Sequence, residues 1–307
     1  MSTEKRCSVD WDTMLAIERP TKQHRSNSSL GVDLDTNVGG CQRVTKPAAM
    51  IIWDTMVLTQ RPATFRQPNC HRQPQQQEHT SAELVLASLQ LTHEQSNSIL
   101  RMNQGTPEWL AARENRLTAS NFGAAIGVNR YCSPKSLCKQ MLWKNFKGNV
   151  ATQWGTEHEN EARQAYIQQM QCLYPNLSIR VEEVGLYIKP EHPWLGSSPD
   201  GIVYTEDENG KQERFLLEIK CPFKKQYYAE IPSYYYAQVQ GIMALMELPY
   251  CDFVVWIPSS GVQIQRIEFN LPFWNDMFLK LKLFYFDFYL PLLVQKLNGE
   301  LTHGCIV

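Results

Sequence analysis

Two short motifs place carboxylates and an amine where they could act together. Asp200 lies in a Ser-Pro-Asp-Gly turn at residues 198–201, and Glu218 and Lys220 follow in a Leu-Glu-Ile-Lys stretch at 217–220. Side chains two residues apart on a strand share a face, so Glu218 and Lys220 point the same way. Carboxylates that meet repel each other unless a cation lies between them, and Mg²⁺ or Mn²⁺ prefers such oxygen ligands. The motifs therefore predict a divalent-cation site.

A site of this kind can hydrolyse a phosphodiester. The reaction needs a nucleophilic water, relief of charge on the phosphate and stabilisation of the leaving oxygen, which two ions about 3.5–4 Å apart, or one ion and a lysine, can supply. We interpret Asp200 and Glu218 as metal ligands, with the backbone carbonyl of Ile219 as a further ligand. Lys220 would orient or deprotonate the water and neutralise the phosphate. Glu159, on a predicted helix, is the candidate for an additional carboxylate.

Each of these residues also has a structural interpretation. Glu218 and Lys220 could form an exposed ion pair on a strand. An aspartate before a glycine, as at Asp200, is a common turn residue. Glu159 could be the partner of Thr156 in a helix capping box. The ordered set of a helical acid, an aspartate in a turn and Glu-x-Lys on a strand favours the catalytic interpretation.

The composition bounds the class of protein. The chain has 307 residues, of which 43% are hydrophobic, which is enough for one or two domains with a proper core. No apolar stretch approaches the length of about 18–20 residues needed to span a membrane, and residues 1–10 lack an apolar signal region. The nine cysteines show no metal-binding spacing. We expect a soluble, intracellular protein with reduced thiols and no membrane partner.

Charge is unevenly distributed along the chain. The net charge is only −1, but residues 111–147 contain seven basic residues and one acid, Glu114, and so carry +6. The basic residues are Arg113, Arg116, Arg130, Lys135, Lys139, Lys144 and Lys147. This polarity allows a polyanion to bind on one wall and carboxylates to gather on another, although a solvated helix face would look similar.

Periodicity divides the chain into three parts. Residues 1–80, rich in serine, glycine and glutamine, are expected to form a disordered or weakly structured extension. Residues 81–105 fit a helical lead-in, and 106–307 fit the catalytic domain. Helices are predicted at 106–113, 118–127, from 154–156 onwards, 234–248 and 272–297, and strands at 184–188, 202–204, 215–220, 251–257 and 262–269. Helices before and after a mixed sheet indicate an α/β sandwich.

These residues resemble a known family. Pro199 and Asp200, followed by Glu218, Ile219 and Lys220, resemble the PD-(D/E)xK nuclease signature. Five blocks, at 108–120, 154–163, 198–201, 217–223 and 237–240, occur in the order seen in the phage lambda exonuclease or YqaJ-type viral recombinase family. The resemblance covers about 106–270. It implies an α/β fold of the restriction-endonuclease type, with a mixed central sheet flanked by helices.

The resemblance also implies an activity. It points to a Mg²⁺-dependent (or Mn²⁺-dependent) 5′-to-3′ exonuclease on linear double-stranded DNA that leaves 3′ single strands for recombination or repair. By position, Glu159, Asp200 and Glu218 match the acidic site, Lys220 the catalytic lysine and Gln238 the glutamine beside it. Arg113 and Ser120 match the positions that hold the terminal 5′ phosphate. An arginine fork and a helix N-terminus are both good phosphate receptors.

Further expectations concern the DNA and the partners. Arg116, Arg130, Lys224 and Lys225 are candidates for contacts with the DNA backbone. A homo-oligomer, a trimer by resemblance, and a single-strand annealing partner are further expectations. Because the stretch between Lys220 and Gln238 is shorter than in the phage enzyme, the substrate channel there is expected to differ.

Two other functions stay open at this point. The chain could be a DNA-end-binding accessory protein for recombination that has lost turnover, or an endonuclease of the same superfamily. The presence of all the expected acids and of the lysine disfavours the first. Arg113 could also form a surface ion pair with Glu108 or Glu114 instead of binding phosphate.

Overall fold

The computed structural model describes residues 75–144, 148–224 and 226–302. For residues 75–81 it describes the backbone only. Most of the predicted extension, together with Lys147 and Lys225, lies outside the described residues. Within the described part of the chain, no helix combines the length and the apolar character needed to cross a membrane.

The centre of the fold is a five-stranded mixed sheet. Its strands, in spatial order, are β2 (Ser178–Glu182), β4 (Gly201–Glu206), β5 (Gln212–Lys220), β6 (Tyr250–Ile257) and β7 (Gly261–Glu268). Neighbouring strands are antiparallel except β5 and β6, which run parallel with Glu218 opposite Phe253. A separate parallel pair joins β1 (Leu117–Thr118) to β3 (Leu195–Gly196). The predicted fold class, a mixed sheet flanked by helices, is confirmed.

Helices surround this sheet. Their bounds are α1 (Gln75–Leu89), α2 (His93–Leu100), α3 (Pro107–Arg113), α4 (Phe122–Ala125), α5 (Pro134–Trp143), α6 (Val150–Leu173), α7 (Ser233–Met246), α8 (Leu271–Lys282) and α9 (Leu290–Leu297). A 3₁₀ turn, Ala119–Asn121, precedes α4, and a π-helical turn, Leu283–Tyr289, joins α8 to α9. The widened turn lies just before Pro291, which lacks the N–H that a regular helix would need there.

Strand β5 is covered on both faces. Leu217 and Ile219 belong to a buried cluster with Ala162 and Tyr166 of α6. Glu218 points the other way, because side chains alternate along a strand, and it contacts α7. Because both faces of β5 are covered, its sequence has mostly apolar residues in a row instead of alternating apolar and polar residues.

Helix α6 begins earlier than the sequence predicts. Asn149 accepts a hydrogen bond from the Thr152 N–H at 3.0 Å, and the Thr152 hydroxyl accepts one from the Asn149 N–H at 2.6 Å. This reciprocal pair starts the helix at Val150. Thr156 lies inside the helix and donates its hydroxyl to the Thr152 carbonyl. The predicted capping box of Thr156 and Glu159 is therefore wrong, and Glu159 is left for another role.

The strand predicted at 184–188 is also wrong. The edge strand next to β4 is β2, at 178–182. Residues 184–188 make only one isolated bridge, between Tyr187 and Ser197. The N–H of Gly185 donates instead to the Leu100 carbonyl at 2.6 Å, at the end of α2. A side chain at Gly185 would collide with the Met102 carbonyl, 2.3 Å from an ideal Cβ. The helical lead-in thus takes the hydrogen bonds that a strand would have used.

Candidate active site

Asp200 and Glu218 lie side by side because β4 and β5 pair in an antiparallel register. Gly201 is opposite Leu217, which places the turn residue Asp200 next to the end of β5. The Asp200 Oδ2 atom accepts a hydrogen bond from the Ile219 N–H at 2.6 Å. The Pro-Asp-Gly turn is therefore attached directly to the strand that carries Glu218 and Lys220.

Glu218 is buried among polar groups. Its side chain is 1% exposed and that of Lys220 is 18% exposed, which excludes the exposed ion pair. The Oε1 atom accepts hydrogen bonds from the Lys220 ammonium and, at 2.5 Å, from the amide of Gln238 on α7. The Oε2 atom is buried and has no hydrogen-bond partner among the described residues. A buried carboxylate oxygen without a partner is costly.

The electrostatics of the site reflect this burial. Burial and the nearby Asp200 carboxylate raise the pKa of Glu218 to about 8. Burial also raises the pKa of Asp200. Burial alone would lower the pKa of Lys220, but the carboxylates of Glu218 and Asp200 outweigh it and keep this pKa above its usual range. Lys220 is therefore protonated near neutral pH, which favours charge neutralisation over deprotonation of a water.

Glu159 reaches the same site from α6. Burial, followed by the charge of Asp200, raises the pKa of Glu159 to about 7. Its Oε1 atom accepts a hydrogen bond from Arg163 at 2.7 Å, and Arg163 also donates to Glu183 at 2.6 Å and to the Asp200 carbonyl at 3.2 Å. The predicted acids Glu159, Asp200 and Glu218 are thus electrostatic neighbours.

Sequence reasoning missed Arg163 and Glu183. Arg163 was visible as a partner of Glu159, because residues four apart meet on a helix face. Arg163 on α6 contacts Glu183 in the segment after β2. No local sequence pattern predicts this contact.

The donor atoms of these residues fit a divalent cation. Within the described ranges, no group of three or more histidine, cysteine, aspartate or glutamate residues is already placed to hold a metal. Lys220, Gln238 and Arg163 occupy carboxylate oxygens of the acids. However, Glu218 keeps a buried, unpartnered oxygen, and Asp200 and Glu159 both raise its pKa. A pair of hard oxygen donors that repel each other fits a cation at Asp200 and Glu218.

Arg113 faces a set of hydroxyl groups. Its guanidinium donates to Ser198 Oγ at 3.1 Å and to Thr118 Oγ1 at 3.3 Å. The Ser120 hydroxyl lies 3.4 Å from that of Thr118. Burial lowers the pKa of Arg113 to about 10, so the group stays charged at neutral pH. Arg113 and Ser120, predicted to bind phosphate, do lie together, and Ser198 is only two residues from Asp200.

The alternative ion pair of Arg113 with Glu108 or Glu114 does not form among the described residues. Glu114 pairs instead with Lys144 at 2.5 Å. The Arg113 guanidinium lies over the ring of Trp109, 4.2 Å from the ring centre. Trp109, Thr118 and Ser198 complete this pocket and were not identified from the sequence, because only the folded chain brings them together.

The basic residues predicted to contact DNA have different environments. Arg116 donates to three backbone carbonyls, those of Pro193, Ala112 and Leu89, so its guanidinium ties chain segments together instead of standing free for DNA. Arg130 is exposed beside Tyr131, and Lys224 is also exposed. Lys225 lies outside the described residues.

A cavity of about 590 Å³ opens beside the acids. It is lined by Gln104, Gly105, Trp109, Thr156, Glu159, Asn160, Arg163, Glu183 and Asp200. Trp109, one of the lining residues, stacks with the Arg113 guanidinium, so the cavity lies beside the group of residues around Arg113. Its volume is in the range of small-molecule sites.

Together, the mixed sheet and the acids and lysine at the end of β5 give the chain an α/β fold of the restriction-endonuclease type. Residues 108–248 match the family model of the YqaJ-like viral recombinase domain. The resemblance predicted from the sequence is confirmed, and the matched segment contains every predicted site residue.

The chain is also similar in sequence to two viral proteins. A protein of Acanthamoeba polyphaga mimivirus is 27% identical over 168 residues, and a protein of African swine fever virus is 26% identical over 162 residues. These alignments cover 51% and 46% of this chain but only 29% and 46% of the relatives, so the chain spans less than half of their length.

A solved structure provides the comparison of fold. The LHK-Exo alkaline exonuclease of Laribacter hongkongensis, crystallised with dAMP, is 26% identical, with a TM-score of 0.51, covering 63% of this chain and 97% of that one. A second structure of the same enzyme is 28% identical, with a TM-score of 0.49 and the same coverage.

Proposed function

We propose that this protein is a metal-dependent DNA exonuclease that degrades linear double-stranded DNA from its 5′ ends and leaves 3′ single strands. The observation that carries the proposal is the cluster at the end of β5. Glu218 accepts hydrogen bonds from Lys220 and Gln238, and Asp200 accepts one from the backbone N–H of Ile219. The similarity to an alkaline exonuclease supports the same class of reaction.

Mg²⁺ or Mn²⁺ would be held by Asp200 and Glu218, with the Ile219 carbonyl and Glu159 as further ligands. When bound, such an ion lowers the pKa of a water and stabilises charge on the phosphate. The protonated Lys220 would neutralise the phosphate and orient the water. Gln238 would keep Glu218 in place, because its amide donates to one carboxylate oxygen and leaves the other open.

The pocket around Arg113 would bind the terminal 5′ phosphate. An arginine fork matches phosphate geometry, and the hydroxyls of Thr118, Ser120 and Ser198 add neutral donors. A terminal phosphate carries more charge than an internal one, so this pocket favours ends. Arg130 and Lys224 are proposed to contact the backbone, and affinity should fall with salt. A homo-oligomer and an annealing partner stay predictions.

Two other functions would use the same fold. An endonuclease would lack the preference for ends, and an accessory protein would bind DNA without cutting it. The Arg113 pocket favours the exonuclease over the first, and the intact set of acids and lysine favours it over the second.

Degradation of matched DNA substrates separates the three functions. The full chain is incubated with Mg²⁺ and either end-labelled linear duplex or covalently closed circular DNA of the same sequence. We expect loss of the linear DNA only. Opening of the circle would identify an endonuclease, and binding without loss of either DNA would identify an accessory protein.

A further inference from the structure

A row of tyrosine rings leads from Lys220 to the protein surface. Lys220 Nζ lies 4.9 Å from the ring centre of Tyr235, whose ring lies 4.4 Å from that of Tyr234. The Tyr234 ring meets Tyr131 edge to face at 6.0 Å. Tyr131, at the outer end, is 70% exposed. We call Tyr131, Tyr234 and Tyr235 the tyrosine row.

The outer end of the row is held in place by its surroundings. The backbone of α4 lies against Tyr234 so closely that a Cβ on Gly123 would be 2.6 Å from the Tyr234 Cβ. The Ser233 hydroxyl donates to the Val128 carbonyl at 3.2 Å and joins the start of α7 to the loop that carries Tyr131. The Tyr131 N–H donates to the Asn129 side chain at 2.9 Å. These contacts fix the backbone that carries the exposed ring.

A cation accompanies the exposed ring. The guanidinium carbon of Arg130 lies 4.7 Å from the centre of the Tyr131 ring, and Arg130 donates a 2.5 Å hydrogen bond to the Tyr131 hydroxyl. An exposed aromatic face beside an arginine suits a nucleotide, because the ring can stack on a base while the cation meets a phosphate. A single exposed apolar ring needs no explanation, but this one continues inwards to Lys220.

We propose that Tyr131, supported by Tyr234, stacks an unpaired nucleobase of the DNA at the outer end of the tyrosine row. This inference rests on the proposed function. A phosphate that reaches the buried Glu218 must belong to a strand end already separated from its partner. Separated bases lose their stacking neighbours, and the tyrosine row offers a replacement. Because every base has a flat face, stacking at this position would be tolerant of sequence.

Binding measurements without a divalent cation test this site in the full chain. EDTA prevents hydrolysis, and the probes are a fully paired 5′-phosphorylated duplex and the same duplex with a short unpaired tail containing 2-aminopurine. Dissociation constants are measured by fluorescence anisotropy at several salt concentrations for wild type, Tyr131→Ala and Tyr131→Phe. Tyr174→Ala is the matched control, since Tyr174 is 52% exposed and follows the far end of α6.

Tyr131→Ala should weaken binding of the tailed duplex about fivefold to a hundredfold and relieve the quenching of 2-aminopurine. Its salt dependence should match that of wild type, because stacking releases no counterions, whereas Arg130→Gln should reduce the slope by about one. Tyr131→Phe and Tyr174→Ala should bind like wild type.

Two results would overturn the inference, and they are distinguishable. If wild type binds the tailed duplex and Tyr131→Ala binds it equally well, the tyrosine row does not stack a base, and the proposed function stands. If wild type binds neither duplex, the proposed function fails and this inference fails with it.

Discussion

The carboxylate of Asp200 accepts a hydrogen bond from the backbone N–H of Ile219, at 2.6 Å, across the β4–β5 pair. This contact fixes a turn residue to the strand end that carries Glu218 and Lys220. It also leaves the side chain of Ile219 free to pack against α6. The Asp200 turn is thus anchored to the strand that carries Glu218 and Lys220.

Removal of the Asp200 charge should abolish hydrolysis without unfolding the protein. Asp200→Asn retains an oxygen that can accept the Ile219 hydrogen bond, and burial already disfavours the charged form. We expect loss of nuclease activity by roughly a hundredfold or more, unchanged DNA affinity in EDTA and no fall in melting temperature. Asp276→Asn, an exposed acid on α8, is the control and should retain full activity.

Lys220→Met should lose activity and become less stable. Loss of a positioned proton donor or orienting group costs typically 10²–10⁴-fold in rate. The buried Glu218 would lose its cation, and breaking a buried pair costs about 3–5 kcal/mol. Because Lys220 lowers the pKa of Glu218, this pKa should rise above about 8 in the variant, and urea unfolding should show the largest loss at alkaline pH, where the wild-type pair is fully charged. Lys211→Met, in an exposed pair with Glu213, should behave like wild type.

The metal-free protein should lose stability as the pH rises from about 4.5 to about 8. The pKa of Glu159 is raised to about 7 and that of Glu218 to about 8. In this range the folded state binds more protons than the unfolded state, so the free energy of unfolding falls with increasing pH. Urea unfolding in EDTA measures the slope, which Glu218→Gln should flatten. A stability that increases over this range would contradict the burial of these acids.

Arg163 should position both Glu159 and the Asp200 turn. Arg163→Met removes the donor to Glu159 and to the Asp200 carbonyl, and we expect a loss of about 1.5–3 kcal/mol, because Arg163 is buried but Glu159 and Glu183 are 36% and 71% exposed and stay hydrated when unpaired. The pKa of Glu159 should rise further, so the pH dependence of activity should move to higher pH. Arg180→Met breaks an exposed pair with Glu182 and should cost no more than about 1 kcal/mol. Equal effects of the two variants would argue against this role.

Arg113→Lys should reduce the preference of the enzyme for 5′-phosphorylated over 5′-hydroxyl DNA ends. Lysine keeps the positive charge but cannot present the planar fork of arginine to a phosphate. The ratio of degradation rates on 5′-phosphorylated and 5′-hydroxyl duplexes should therefore fall toward one. Arg180→Lys provides the control. An unchanged ratio would show that the terminal phosphate is not read by Arg113.

Local motifs allowed much of the acidic site to be predicted. Asp200, Glu218 and Lys220 lie in short sequences whose geometry follows from a turn and a strand, and the structure places them together. Long-range contacts gave no such signal. The approach of Ser198 to Arg113 and of Glu183 to Arg163 depends on how distant segments fold against each other.

The two errors in secondary structure have different causes. The sequence around Thr156 satisfies a capping pattern, but Asn149 and Thr152 satisfy one earlier, and the first available cap starts the helix. The apolar alternation at 184–188 is real, yet Gly185 allows the segment to lie against the end of α2. A local cap decided the start of α6, whereas contact between separate elements decided the conformation of residues 184–188.

Anomalous diffraction from a crystal soaked in Mn²⁺ tests the central claim most directly. The account predicts a manganese peak in contact with the carboxylates of Asp200 and Glu218, and its absence in an Asp200→Asn crystal treated in the same way. A wild-type crystal of protein that degrades linear DNA with Mn²⁺, but shows manganese away from both carboxylates, would contradict it.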